Sequence, residues 1–147
     1  MLNQVNIFFI VAIVASRFLP HPPNFTPVIA IFMMSGGLTL LPLLITYLLT
    51  DAVLGFHSYM FWVYGSLFAI SYLQKGPIVS SLIFFIITNF AVWTSGFYGY
   101  DIKGLITCYV MAIPFFVSTL TSTLLFYHLI RYYQNNNFSL PKLLTTA

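Results

Sequence analysis

The fold of this chain depends on residues 26–54, which read TPVIAIFMMSGGLTLLPLLITYLLTDAVL. The segment is almost entirely apolar, but Ser35, Gly36 and Gly37 interrupt it. Two adjacent glycines weaken a helix and often mark a bend, and Pro42 fits the first turn or two of a new helix. We therefore predict two short helices here, broken at Gly36-Gly37.

The composition indicates that the surrounding solvent is lipid. Of 147 residues, 60% are hydrophobic, 19% are aromatic and only 5% are charged, whereas a soluble domain carries about a quarter charged residues. The sequence therefore predicts an integral membrane protein. The scattered net charge of +3 argues against nucleic-acid binding, which needs a basic patch. The single cysteine, Cys108, excludes an internal disulfide framework and a multi-thiolate metal site.

Four further apolar segments are predicted to form helices, at residues 5–17, 59–73, 78–95 and 104–130. Residues 1–16 contain the apolar core of a signal peptide, but no basic residue precedes it, so we expect a retained first helix. The predicted fold is an all-α membrane protein, a six-transmembrane-helix bundle in one domain at residues 1–133. A polar C-terminal tail follows at residues 134–147.

The distribution of basic residues does not simply agree with six spans. With the N-terminus inside, three of the five basic residues face the cytoplasm, and Arg17 and Lys103 face outside. If residues 26–50 formed one kinked helix, five spans would leave only Lys103 opposite the other four. The positive-inside rule alone therefore prefers five spans, which remains the rival topology.

The unusual polar residues favour six spans, because that topology gathers them in the outer half of the bundle. Several polar groups that converge with aromatic rings at one end of a bundle are typical of a ligand pocket. The predicted substrate-binding residues are Arg17, His21, Asn24, Phe25, Asp51, His57, Asn89 and Trp93.

Residues 17–27 read RFLPHPPNFTP and are called the proline loop below. Its four prolines fix their own φ angles and favour extended neighbours, so the segment ends helix one and loses little entropy when it is ordered. Such a loop suits a lid, with Phe25 as a cap and Arg17, His21 and Asn24 as hydrogen-bond donors. The alternative is a rigid connector whose Arg17 snorkels to lipid headgroups.

Asp51 is the most informative single residue, because an aspartate inside an apolar segment is by default functional or paired. Arg17 is its natural partner, and both an ion pair that joins two helices and direct ligand contact remain open. The histidines do not indicate a metal site, since His128 belongs near the inner end of helix six and no His-Glu-x-x-His pattern exists. We expect no cofactor, no metal and no enzymatic activity.

Asn89 and Trp93 lie one turn apart on the predicted fifth helix. An amide beside an indole suits a flat ring with polar edges, although an aromatic belt at the membrane interface also explains Trp93. Two groups of small residues permit close helix packing. They are Ala12, Ala15 and Ser16 on helix one, and Ser118 and Ser122 on helix six.

The chain also resembles a family of small bacterial membrane proteins. The resemblance rests on RFLPHPPNFTP, the apolar run ending in Gly-Gly, TDAVLG with His57, TNFAVW and AIPFF, from Arg17 to Phe116. That family is similar to the S components of energy-coupling-factor vitamin transporters, the riboflavin type in particular. The resemblance implies six helices, both termini in the cytoplasm, and a loop after helix one that closes over substrate. It also implies that Ala12, Ala15 and Ser16 dock on a coupling membrane subunit.

We therefore predict a substrate-binding subunit of a vitamin-type importer in the bacterial inner membrane. It would capture a small, planar, weakly charged solute from outside, and separate ATPases would supply the energy. The alternative is an accessory subunit of a larger respiratory or photosynthetic membrane complex, and a solitary facilitator is a third reading.

Overall fold

The computed structural model describes residues 4–137, which form six α-helices and no strand. The helices are α1 Gln4–Phe18, α2 Val28–Met34, α3 Leu40–Leu54, α4 Met60–Leu73, α5 Pro77–Thr94 and α6 Ile102–Asn137, with a short 3₁₀ helix at Gly37–Thr39 before α3. The all-α class, the six helices and the break at Gly36-Gly37 are confirmed. Residues 26–50 do not form the single kinked helix that five spans require.

The break between α2 and α3 has a specific structure. Ser35 is extended, and Gly37 has a φ of +56°, a conformation that side chains with a Cβ rarely adopt. The carbonyl oxygen of Ser35 accepts hydrogen bonds from Ser71 Oγ at 2.6 Å and Gln74 Nε2 at 3.3 Å. A Cβ on Gly36 would lie 2.8 Å from the same Gln74 nitrogen. The two glycines thus allow α4 to satisfy a carbonyl that the interrupted helix leaves free.

The shortest helix lies in the middle of the bundle. α2 has seven residues, roughly 10 Å of helix, and residues 28–33 are all buried. It packs against α4, α5 and α6. The same core contains Phe9 and Ile13 of α1, Leu43 of α3 and Leu67 of α4. The second predicted helix is therefore a short segment that is buried over residues 28–33.

Contacts between helix ends fix the direction of the first four helices. The end of α1, the last turn of α3 and the second turn of α4 meet through Arg17, Asp51 and Tyr64; we call this the arginine end of the bundle. The end of α2, the 3₁₀ helix and the α4–α5 turn meet at the opposite end through Ser35 and Gln74. α1 and α3 therefore both run toward the arginine end, α2 and α4 run away from it, and α5 runs back to it.

The last two helices form an antiparallel hairpin. α5 begins with Pro77, where a missing N–H costs nothing, and α6 is capped by Asp101, whose Oδ1 accepts from the Gly104 N–H at 2.7 Å. Both α5 and residues 102–135 of α6 are long and apolar enough to cross a membrane. Because α6 continues to Asn137, the first residues of the predicted tail are helical. The rest of that tail, residues 138–147, lies outside the described residues.

Candidate functional site

Four side chains from three helices form a polar cluster at the arginine end. Arg17 Nη2 pairs with Asp51 Oδ1 and Arg17 Nη1 donates to the Tyr47 hydroxyl at 2.9 Å. Tyr64 donates its hydroxyl hydrogen to Asp51 Oδ2 at 2.7 Å. The arginine of the proline loop is thus fastened to α3, and α3 to α4. We refer to Arg17, Tyr47, Asp51 and Tyr64 as the Arg–Asp cluster.

Burial makes the Arg–Asp cluster energetically important. Asp51 is fully buried, while the Arg17 side chain is 20% exposed, and the guanidinium lies 4.5 Å from the centre of the Tyr47 ring. Removing two charges from water is favourable only when their remaining hydrogen-bonding capacity is satisfied. Both Asp51 oxygens have partners; of the buried atoms in this cluster, only Arg17 Nε lacks one among the described residues. The arrangement suits a fastening between helices, because Asp51 has no unpartnered oxygen for a ligand.

The proline loop extends from this cluster across to α6. Ser118 Oγ donates to the Pro23 carbonyl at 2.7 Å. Ser122 Oγ lies 3.4 Å from the Asn24 carbonyl, but its single hydrogen has a closer acceptor in the Thr119 carbonyl of α6 at 2.9 Å. Asn24 has a φ of +60°, and both its side chain and that of His21 are exposed. The loop is therefore attached to α6 by the hydrogen bond from the Ser118 hydroxyl to the Pro23 carbonyl.

An aromatic contact connects the proline loop with a groove between α1 and α6. The rings of Phe25 and Phe126 meet edge to face with centroids 6.1 Å apart. Phe126 also lines a groove of about 160 Å³ between α1 and α6. The groove is lined by Phe8, Ala12, Pro27, Ile31, Phe126, Leu129, Ile130 and Tyr133. It offers apolar contact and is smaller than the roughly 300–1,000 Å³ of ordinary ligand pockets.

The other predicted binding residues lie away from the loop. His57 is exposed in the α3–α4 connection, where its Nδ1 accepts from the Tyr59 N–H at 3.3 Å. Asn89 donates its amide hydrogen to the Phe85 carbonyl of its own helix at 2.8 Å. The Trp93 ring packs on Phe90 with centroids 5.4 Å apart, and its buried Nε1 has no hydrogen-bond partner among residues 4–137.

The spacing along α6 separates the two groups. Asn89 contacts α6 at Cys108, through a 3.4 Å contact of Sγ to the Asn89 carbonyl, whereas the proline loop contacts Ser118. Ten helical residues correspond to about 15 Å along the axis. The structure therefore brings Arg17 and Asp51 together. It places Asn89 and Trp93 nearer the turn between α5 and α6. Their role in binding a solute stays a prediction.

The predicted small-residue faces have different environments. Ala12 is half-buried and lines the groove toward α6, while Ser16 Oγ donates to the Ile13 carbonyl at 2.8 Å. Ala15 is half-buried in the same stretch of α1. The Ser118 hydroxyl donates to the Pro23 carbonyl of the proline loop, and the Ser122 hydroxyl lies near the Asn24 carbonyl; helix packing through these two serines stays a prediction.

Sequence reasoning missed Tyr47 and Tyr64. Tyr47 precedes Asp51 by four residues, so the two side chains share one face of α3, and that spacing was available as a signal. Tyr64 is separated from Asp51 by a turn of unpredictable geometry, so only the three-dimensional structure reveals their contact. Among residues 4–137, no group of three or more His, Cys, Asp or Glu side chains is placed to hold a metal ion.

Comparisons with known proteins give a family without an assigned function. The model of DUF6580, described as a family of unknown function, matches residues 2–135 of the chain. No curated protein and no solved structure matches it.

Proposed function

The chain belongs to this family of unknown function, and from its own geometry we propose that it is the substrate-binding subunit of a vitamin-type importer. The observation that carries the proposal is the set of contacts between the proline loop and α6. Phe25 contacts Phe126, which also lines the α1–α6 groove, and the Ser118 hydroxyl holds the loop on α6. A movable cover over an apolar groove is what capture of a small molecule requires.

Location in a bilayer is supported by length and by surface. α5 has 18 residues with a mean hydropathy of 1.7, and α6 contains an 18-residue window with the same mean hydropathy. α1, α3 and α4 have 14 or 15 residues each, or about 21–23 Å of helix. Large apolar side chains cover much of the outer surface; Phe61, for example, is 91% exposed. Lipid is the solvent in which such a surface is stable.

The broken helix also fits a membrane location. Non-helical backbone is tolerated at membrane depth where protein encloses it and satisfies its polar groups. The Ser35 side chain is buried, and its carbonyl accepts from Ser71 and Gln74. Thr39 Oγ1 accepts from the Gly36 N–H at 3.0 Å. The segment between α2 and α3 is thereby supplied with partners that lipid cannot provide.

The alternating directions of the helices agree with a six-span arrangement, in which the proline loop shares one side with the α3–α4 connection. In a six-span arrangement with both termini in the cytoplasm, the connections α1–α2, α3–α4 and α5–α6 lie on the outer side. The first two meet at the Arg–Asp cluster, as this arrangement requires. The solute would then enter beside the loop from outside, and the face of α1 with Ala12, Ala15 and Ser16 would dock on a coupling subunit.

The groove favours a particular chemistry for the solute. Its lining is apolar, so it suits the face of a small flat ring or a short hydrocarbon portion. Because about 160 Å³ holds only part of a vitamin-sized molecule, the loop must move away from Phe126 to admit the rest. Polar edges of the solute would meet the exposed His21 and Asn24 side chains of the loop.

The experiment is purification in mild detergent followed by native mass spectrometry. We expect a bound small molecule of one mass, retained by Phe61→Ala, which removes an exposed ring on α4, and lost from Phe126→Ala. Phe25→Ala should weaken retention without changing the mass. A protein that carries no small molecule, or that loses it equally in Phe61→Ala, would contradict the proposal.

A second candidate function is an accessory subunit of a larger membrane complex. It is favoured by exposed apolar side chains around the turn between α5 and α6. Phe97, Tyr100, Ile102 and Ile106 are all exposed there, close in sequence to the buried indole N–H of Trp93, which has no hydrogen-bond partner in the described part of the chain. The same purification distinguishes the two functions. The accessory subunit would be favoured if other polypeptides are recovered in stoichiometric amounts while the groove is empty. Changing Tyr100 and Ile106 to Ser should then abolish that recovery.

A further inference from the structure

The His21 side chain lies between two backbone carbonyl oxygens. Its Nε2 is 2.7 Å from the oxygen of Ser16 and its Nδ1 is 2.8 Å from the oxygen of Pro22. A carbonyl oxygen can only accept a hydrogen bond, so each contact requires a hydrogen on the facing ring nitrogen. Neutral imidazole carries one such hydrogen and imidazolium carries two. The observed geometry is therefore fully satisfied only by the protonated ring.

The position of Ser16 strengthens this reasoning independently. Ser16 lies in the last turn of α1, which ends at Phe18, so its carbonyl belongs to the negative end of the helix dipole and has no partner in the next turn. A cation at a helix C-terminus is favoured electrostatically as well as through its hydrogen bond. The contact also closes a small ring of chain from Ser16 to His21, which contains the first turn of the proline loop.

We propose that His21 is a pH-responsive latch, whose imidazolium form makes both contacts and ties the proline loop to the end of α1, and whose neutral form keeps at most one of them, without the charge, and so loosens the loop. Imidazole changes charge between about pH 5 and 8, the range in which extracellular conditions vary. The latched loop binds one more proton than the released loop, so acidification favours the latched form and alkaline conditions favour release. This inference concerns the loop alone and holds whatever solute the groove takes.

The other charged and titratable groups around the loop do not provide an equivalent switch. Arg17 on α1 is paired with Asp51 of α3, and α2 carries no titratable side chain. On α6, where the loop rests at Ser118 and Ser122, the nearest such groups toward the C-terminus are Tyr127, His128 and Arg131. His128 is six residues, or about 9 Å of helix, beyond Ser122; toward the N-terminus, Tyr109 is nine residues before Ser118, with Cys108 next to it.

His57 provides a matched control, because its environment is opposite. It is also exposed, but its Nδ1 accepts a hydrogen bond from the Tyr59 N–H, so this contact needs a ring nitrogen without hydrogen. Protonation of His57 therefore cannot strengthen its contact in the way proposed for His21. A substitution there tests whether any exposed histidine produces the same effect.

The experiment places a nitroxide spin label at Leu19→Cys, inside the ring that the His21 contact closes, with Cys108 replaced by Ala. Leu19 is 63% exposed, so the label has room. Labelling is done at one pH and spectra are then recorded from pH 5 to 8.5, which separates loop mobility from thiol chemistry. We expect the ratio of mobile to immobile label to rise at least about fivefold with pH, as a charge-assisted hydrogen bond is lost.

Two variants decide the outcome. His21→Gln should give a mobile label at every pH, and His57→Gln should retain the full pH dependence. The inference is overturned if mobility does not change with pH in the parent protein, or if His21→Gln leaves the pH dependence in place. Far-ultraviolet circular dichroism of each variant at both pH extremes verifies that the helices remain folded.

Discussion

The Asp51→Asn substitution is the sharpest perturbation of the structure, because it removes a charge while leaving the side-chain volume almost unchanged. Asp51 is fully buried and pairs with Arg17, whose side chain is only 20% exposed. Without its partner the guanidinium is left with an uncompensated charge in a largely water-free site. Removal of one partner from a buried ion pair costs about 3–5 kcal/mol.

The structure places the expected value near the lower limit of that range. Arg17 keeps its hydrogen bond to Tyr47 and its position over the Tyr47 ring, and an exposed Arg on an aromatic face is worth about 0.5–1 kcal/mol. The part of Arg17 that remains exposed also keeps some hydration. We therefore expect a loss of about 3 kcal/mol in the free energy of unfolding, with the helical content of the folded state unchanged.

The assay is reversible unfolding in mixed detergent and dodecyl sulfate micelles, followed by circular dichroism. Asp101→Asn is the matched control, because Asp101 is an exposed cap of α6 and asparagine caps a helix equally well, so its effect should stay within about 0.5 kcal/mol. In Arg17→Gln with Asp51→Asn, we expect about 2 kcal/mol of the summed single losses to be recovered. Equal losses for Asp51→Asn and Asp101→Asn, or strictly additive effects, would refute the reasoning.

Three further substitutions have defined outcomes. Tyr64→Phe removes the hydrogen bond to Asp51 Oδ2 and should lower the unfolding free energy by about 1.5 kcal/mol in the same assay; an unchanged value would contradict the hydrogen bond. Gly104→Ala forces a Cβ against backbone oxygens of the α5–α6 connection and should cost at least about 2 kcal/mol, whereas Gly65→Ala has free space and should cost nothing. Ser118→Ala removes the hydroxyl that donates to the Pro23 carbonyl of the proline loop; proteolytic cleavage within the loop should become about tenfold faster, and an unchanged rate would show that the loop is held otherwise.

The break between α2 and α3 was predictable because its cause is local. Adjacent glycines and a proline soon after them act within the segment that contains them. The length of α2 was less accessible, since seven buried residues are stable as a helix only when α4, α5 and α6 enclose them. The partners of the Ser35 carbonyl come from 36 and 39 residues away, and no sequence pattern announces such contacts.

The candidate site was predictable in part for the same reason. An isolated aspartate in an apolar segment demands a partner, and Arg17 was the natural cation at that end of the bundle. Packing sets the position of each helix along its neighbour. The sequence therefore did not reveal that Asn89 contacts α6 at Cys108, ten residues before Ser118, which contacts the proline loop. Ser118 and Ser122 have the spacing of a packing face, but the Ser118 hydroxyl also binds a loop that precedes it by 95 residues.

The central claim is that the proline loop covers the outer end of a membrane bundle, opposite the α4–α5 turn. It is tested most directly by labelling single cysteines in intact cells with a membrane-impermeant maleimide, after Cys108 is replaced by Ala. The account predicts that Leu19→Cys is labelled from outside, whereas Lys75→Cys is labelled only after permeabilisation. Labelling of Lys75→Cys in intact cells, with Leu19→Cys protected until the membrane is opened, would contradict it.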